Sequence, residues 1–169
     1  MPASFDGMVA LDAETRRAIS LLSHYQRTYG TVTDGEPLPP AFARAQLAFA
    51  RSLAGYSLIA YLFQIKDRHN GNILLDAEGH VIHIDFGFML GTAPGGVFSM
   101  EVAPFKLTSD CVELLNAGAG AAPQSEQGCS PAFAEFYRLF CLGYLALQVR
   151  AATARVARAE PSPAQLSLS

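Results

Sequence analysis

The sequence predicts an α+β chain that is mainly helical and carries one small β-hairpin. Three observations point there: apolar residues at helical spacing from Phe42 to Phe63, two short β-prone runs separated by DAEGH, and a second helical stripe from Phe133 to Leu147. Half of the 169 residues are hydrophobic, enough for one domain with a substantial core.

Residues 11–29 have helix-forming composition, with Leu11, Ile19, Leu22 and Tyr25 roughly on one face and Arg16, Arg17 and Arg27 elsewhere. GTVTDGEPLPP then stops this helix and closes an N-terminal unit of residues 1–40. In the next helix Phe42, Ala45, Phe49, Leu53, Tyr56, Ala60 and Phe63 follow three- and four-residue steps. Its second half is apolar all round and is expected in the core. Residues 53–65 are too few to span a bilayer, which takes about 20 residues.

The period then changes, and residues 73–75 and 81–84 read as a hairpin whose turn has Gly79 available for a positive φ. Residues 88–107 hold glycines and prolines without helical period and form a long loop. Thr108 is placed to cap a short helix over residues 109–116. Residues 117–131 are a flexible low-complexity insertion. A last helix over residues 132–158 carries Phe133, Phe136, Phe140, Tyr144 and Leu147 on one stripe, ahead of a disordered tail, residues 159–169.

Twelve basic against fifteen acidic residues give a formal charge of −3, which excludes broad electrostatic attraction for nucleic acid or an anionic membrane. Three scattered cysteines without a CxxC pair, and no secretory leader pattern, fit a reduced cytosolic setting.

The chemistry lies in DRHNGNILLDAEGHVIHIDFG, residues 67–87. Asp67, His69 and Asn72 precede the first strand and Asp85 ends the second, so a hairpin brings them together at its open end. Converging Asn and Asp oxygens suit a hard cation such as Mg²⁺, which also binds substrate phosphates. Phosphoryl transfer needs that cation and an acceptor for the attacking hydroxyl's proton, for which Asp67 and His69 are the candidates. Arg68 is placed either to orient a carboxylate or to face a phosphate.

This segment resembles the catalytic and metal-binding loops of the phosphatidylinositol 3-/4-kinase superfamily, whose DRHxxN element replaces the HRDxxxxN of protein kinases and whose DFG supplies a metal-binding Asp. KDRHNGNILLD, HIDFGFML, PGG and APFKLT look like the phosphatidylinositol 4-kinases, the β type above all, and FARSLAGYSLIAYLFQI is similar to the helix before their catalytic loop. The resemblance is dense over residues 41–115 and absent from the first 30.

It implies the C-terminal lobe of a protein-kinase-like catalytic domain over residues 41–158, with a catalytic loop at 66–72, DFG at 85–87 and an activation loop at 88–107. By the same resemblance Asp67 and His69, with Arg68, serve catalysis; Asn72 and Asp85 hold Mg²⁺, for which Mn²⁺ can substitute; Asn72, Asp85, Phe86 and Gly87 lie at the ATP. Lys106 falls where the activation loop meets the lipid headgroup. The implied substrate is phosphatidylinositol in a membrane surface, reached peripherally from the cytoplasm at internal, Golgi-like membranes and without a transmembrane segment.

Other features have plainer readings. His80 and His83 lie three apart in a strand pattern and point to opposite faces, against a shared zinc site. Phe86 and the Phe42 to Phe63 stripe, read from residues alone, belong to the core. Arg150, Arg155 and Arg158 read as a solvated face.

Residues 88–105 contain no Lys or Arg, which favours a headgroup without extra ring phosphates; the choice of the 4-hydroxyl rests on the resemblance. A kinase of this kind also needs a glycine-rich loop over ATP and a lysine on an N-terminal-lobe strand. The only lysines are Lys66 and Lys106, and the residues ahead of Asp67 are too few for that lobe, so the isolated chain is expected to show little or no kinase activity. Two other readings stand beside this one: a non-catalytic nucleotide-binding or adaptor lobe, and a related Ser/Thr protein kinase, against which the NGN and FGFML variants count.

Overall fold

The computed structural model describes residues 3–4, 20–92, 103–119 and 129–159. Strand β1 (Ala3–Ser4) leads to helix α1 (Leu21–Tyr29), α2 (Pro40–Phe63), a 3₁₀ turn (Asn70–Asn72), strands β2 (Ile73–Leu75) and β3 (Val81–His83), α3 (Ser109–Asn116) and α4 (Pro131–Ala159). The mainly helical architecture with a small hairpin is as expected. The sheet gains a third, two-residue strand, because β1 pairs antiparallel with β2 in the order β1-β2-β3.

Ser20 caps α1 by accepting the Ser23 N–H at 3.1 Å, so the described helix begins at Leu21; the expected first turns, in residues 11–19, lie outside the described residues. Pro40 opens α2, where a missing N–H costs nothing, and Gln64 closes it in the left-handed region at φ 51°. Thr108 caps α3 as expected, accepting the Cys111 N–H at 3.3 Å. Ser130 starts α4: its hydroxyl accepts the Phe133 N–H at 3.0 Å and donates to the Leu115 carbonyl, joining the end of α3 to α4. Residues 93–102 of the expected activation loop, 120–128 of the insertion and 160–169 of the tail lie outside the described residues.

The core gathers Tyr25, Phe42, Phe49, Leu53, Leu114, Leu115 and Phe136 from all four helices. Tyr25 packs edge-on against Phe42 and Phe49, and its hydroxyl donates to the Gly79 carbonyl at 2.6 Å, so α1 grips the hairpin turn. The buried Gln46 amide donates to the carbonyls of Leu114, Ala117 and Leu115 at 2.8, 3.0 and 3.2 Å, supplying the C-terminal partners that α3 lacks.

Gly79 adopts φ +92°, and a Cβ there would stand 2.9 Å from the Ala45 Cβ and 3.0 Å from its carbonyl oxygen. Gly79→Ala is therefore expected to destabilise the fold by about 2 kcal/mol, read as a lower urea midpoint at unchanged slope.

Two expectations are corrected here. The last turns of α2 are not buried all round: Ile59 and Leu62 are 42 % and 48 % exposed, because α4 covers one side of α2 only. Phe86 is likewise exposed, and Phe63 with it, whereas Phe42 and Phe49 are buried. On α4 the predicted stripe faces inward, with Phe136 buried, Phe140 against Phe105 and Tyr144 against Tyr61, while Leu142, Leu145 and Val149 form a second, exposed stripe. Arg150 and Arg155 are exposed as expected. Among the described residues no helix is long and apolar enough to cross a membrane.

Candidate active site

The chain leaves α2 through Ile65 and runs antiparallel to the segment that follows β3. The Lys66 N–H donates to the Phe88 carbonyl at 2.9 Å, Leu90 N–H to Phe63 at 2.8 Å, and Ile84 N–H to Asn72 at 3.0 Å. These bonds lay the loop 64–72 beside 84–90, which is the convergence the hairpin predicted.

Asp67 and Asp85 both occupy the left-handed region, at φ 62° and 54°. Non-glycine residues reach it at a cost, least for Asp and Asn, and such strain concentrates at functional sites. The Asp67 carboxylate stands 3.9 Å from His69 Nε2, and His69 Nδ1 accepts the Gly71 N–H at 3.1 Å. Both groups are open to solvent, His69 the more so. The buried Asn72 donates from Nδ2 to the Asp67 carbonyl at 2.8 Å, which fixes its amide and turns Oδ1 into the acceptor end. Asp85 is exposed, with Oδ1 accepting the Gly87 N–H at 3.2 Å.

Arg68 is 4 % exposed, far more buried than its charge suggests. Its guanidinium donates to the carbonyls of Lys66 at 3.0 Å, Ile84 at 2.6 Å and Asp85, and lies 5.5 Å from the centre of the Phe86 ring. It thus fastens the two loops together through their backbones, which makes it a positioning residue. Phe86 forms the lid of that guanidinium, and Gly87 supplies the N–H that holds Asp85. Arg68→Lys replaces a planar fork with a single ammonium and is expected to destabilise by about 2 kcal/mol in urea unfolding.

His83 is buried and stacked on Tyr56 with ring centres 4.4 Å apart. Burial, and after it the positive charge of Arg68, lowers its imidazole from 6.5 to about 4. His80 is exposed and bonds Asp76 at 2.8 Å. Asp76, Glu78 and His80 bring their side-chain ligand atoms within 4.8 Å of one another, but at the turn of the hairpin, the end opposite the one that carries Asp67 and Asp85. Asp76 Oδ1 there accepts the N–H groups of Glu78 and His80, so its carboxylate organises the turn.

Lys106, expected at the headgroup, is half-buried beside His83, Thr108 and Cys111. Lys66, the other lysine, donates to the Ala103 carbonyl at 2.9 Å and ties the loop after α2 to the chain ahead of α3.

The donor set fits a hard divalent cation: an oriented amide oxygen at Asn72 and an exposed carboxylate at Asp85, on loops that three carbonyl contacts hold together. Neither the left-handed aspartates nor the Arg68 clamp follows from the sequence alone, where the one available signal is that Asp tolerates that region.

Residues 15–148 match the family model described as phosphatidylinositol 3- and 4-kinase. The chain is 50 % identical over 107 residues to phosphatidylinositol 4-kinase beta 1 of Arabidopsis thaliana, an alignment covering 63 % of this chain and 9 % of that protein. It is 54 % identical over 103 residues to phosphatidylinositol 4-kinase PIK1 of Saccharomyces cerevisiae, covering 61 % and 9 %. With pik1 of Schizosaccharomyces pombe the identity is 56 % over 82 residues, covering 48 % and 10 %. The matched stretch spans about a tenth of the length of these curated relatives.

Proposed function

Because the chain belongs to the phosphatidylinositol 3- and 4-kinase family, we propose that it is the catalytic-loop segment of a phosphatidylinositol 4-kinase, which transfers the ATP γ-phosphate to the 4-hydroxyl of the inositol ring. The observation that carries this reading is the pairing of the Asp67 to Asn72 loop with Asp85, bound to each other through Arg68. Relatives named as lipid kinases favour phosphatidylinositol over a protein substrate.

In this mechanism Asp67 accepts the proton of the attacking hydroxyl, with His69 beside it to share that charge. Asn72 and Asp85 would hold Mg²⁺, which when bound neutralises the phosphate oxygens. Arg68 keeps base and metal ligands at a fixed separation by holding both backbones. Lys106 is assigned to the headgroup, reached by movement of the chain around residues 103–108. The setting is the cytoplasmic face of an internal membrane.

The 169-residue chain has two lysines, one bonded to Ala103 and the other half-buried, and no described glycine-rich loop that covers ATP. The function is therefore tested in a chimera: PIK1 of Saccharomyces cerevisiae with its matching segment replaced by this chain's. The chimera is expected to phosphorylate phosphatidylinositol vesicles with Mg²⁺-ATP, whereas the chain alone gives little turnover. A folded chimera that binds ATP and leaves the lipid unmodified refutes the reading.

A further inference from the structure

A small cavity lies between α2, the hairpin and the segment leading into α3. Its surface is mostly apolar, walled by side chains of α2, both strands of the hairpin and α3, with Asn70, His83, Lys106 and Thr108 also among the lining residues. Its free volume matches about one water molecule. His83 is only 8 % exposed, its ring is held by the stack on Tyr56, and its Nδ1 is buried without a hydrogen-bond partner among the described residues. Buried polar atoms in folded proteins are paired with protein or with ordered water, and a buried ring nitrogen beside room for one water is where such pairing occurs.

We propose that this cavity holds one buried water, bonded to His83 Nδ1 and shared with a polar group of Asn70 or Thr108, and that His83 is thereby a positioning residue for Asp85. The second half of this statement rests on the reading of Asp85 as a metal-holding group. Asp85 stands two residues beyond His83 and is strained, so its backbone needs fixing from both sides. Arg68 holds the carbonyls of Ile84 and Asp85 from one side. The water-bound His83 holds the strand that delivers them. Because Thr108 also lines the cavity, the same water is placed to join the end of β3 to the chain entering α3.

A crystal structure of the full chain at a resolution that reveals ordered solvent is expected to place a water within about 3.2 Å of His83 Nδ1. A dry cavity, or Nδ1 bonded to a protein atom, overturns the proposal. Amide exchange supplies the second arm, with Ile84 reporting the strand end and Leu114 the core. His83→Phe keeps a ring against Tyr56 but loses Nδ1, and should speed exchange at Ile84 about tenfold relative to Leu114, the size of one net hydrogen bond. His83→Gln, which keeps a polar terminus, should restore most of that protection. Unchanged Ile84 exchange in His83→Phe, or no recovery in His83→Gln, overturns the positioning role. Mn²⁺ titration of the unmodified chain separates the two readings: absent binding, with the water and exchange as expected, removes the metal role of Asp85 and leaves the anchoring of the strand intact.

Discussion

Replacing Asp67 with Asn in the chimeric kinase is expected to lower turnover about 10²- to 10⁴-fold, the contribution of a positioned general base, with little change in Tm. The two effects separate because of the backbone. Asp67 sits at φ 62°, a region that Asn enters at least as readily as Asp, and its carbonyl, which accepts from Asn72, is untouched by the substitution. The amide retains the shape of the side chain but offers no basic oxygen to the attacking hydroxyl. Steady-state rates at saturating ATP and lipid, with thermal melting on the same samples, check the result. A variant that retains more than about a tenth of wild-type turnover removes Asp67 from the base role and leaves His69 as the candidate.

Acidification is expected to weaken the fold by up to about 3 kcal/mol between pH 6.5 and pH 4 through His83 alone. Its folded value lies near 4 against an ordinary 6.5, so in this window the unfolded chain binds the proton and the folded chain does not. The sign follows: the neutral ring's contribution is fully present above pH 6.5, falls as pH drops through the window, and is lost below about 4. A proton there would place an imidazolium in a buried site beside the Arg68 guanidinium. Urea unfolding at pH 7 and at pH 4.5, compared between wild type and His83→Phe, isolates the effect. The variant should lose distinctly less stability on acidification, and equal losses would show that the ring titrates normally.

Much of the fold was legible because its signals are local. Thr108 announced α3, the three- and four-residue spacing from Phe42 announced α2, and DAEGH between apolar runs announced the hairpin, whose register pairs Ile73 with His83. The site loops were legible too, since a hairpin must bring its outer ends together wherever it is placed. What could not be read depends on partners distant in sequence. Nothing near Gln46 reveals that it meets three carbonyls around Leu114, or that Arg68 finds Ile84 and Asp85 rather than a phosphate. The apolar run ending α2 gave the clearest mismatch. Hydrophobicity all round suggested full burial, yet burial is decided by how many neighbours arrive, and α4 reaches only one side.

The Arg68 clamp also sets how this region can move. A guanidinium fork bonded to Lys66, Ile84 and Asp85 makes the two loops a single mechanical part with a stiff cross-brace, instead of two flaps that open separately. Any displacement of the segment after β3 must drag residues 66–72 with it, and the hinges left to such a motion are the left-handed joints at Gln64 and Leu90. Relaxation measurements should find residues 66–72 and 84–88 exchanging at one common rate, in step, with the discontinuity falling at those joints.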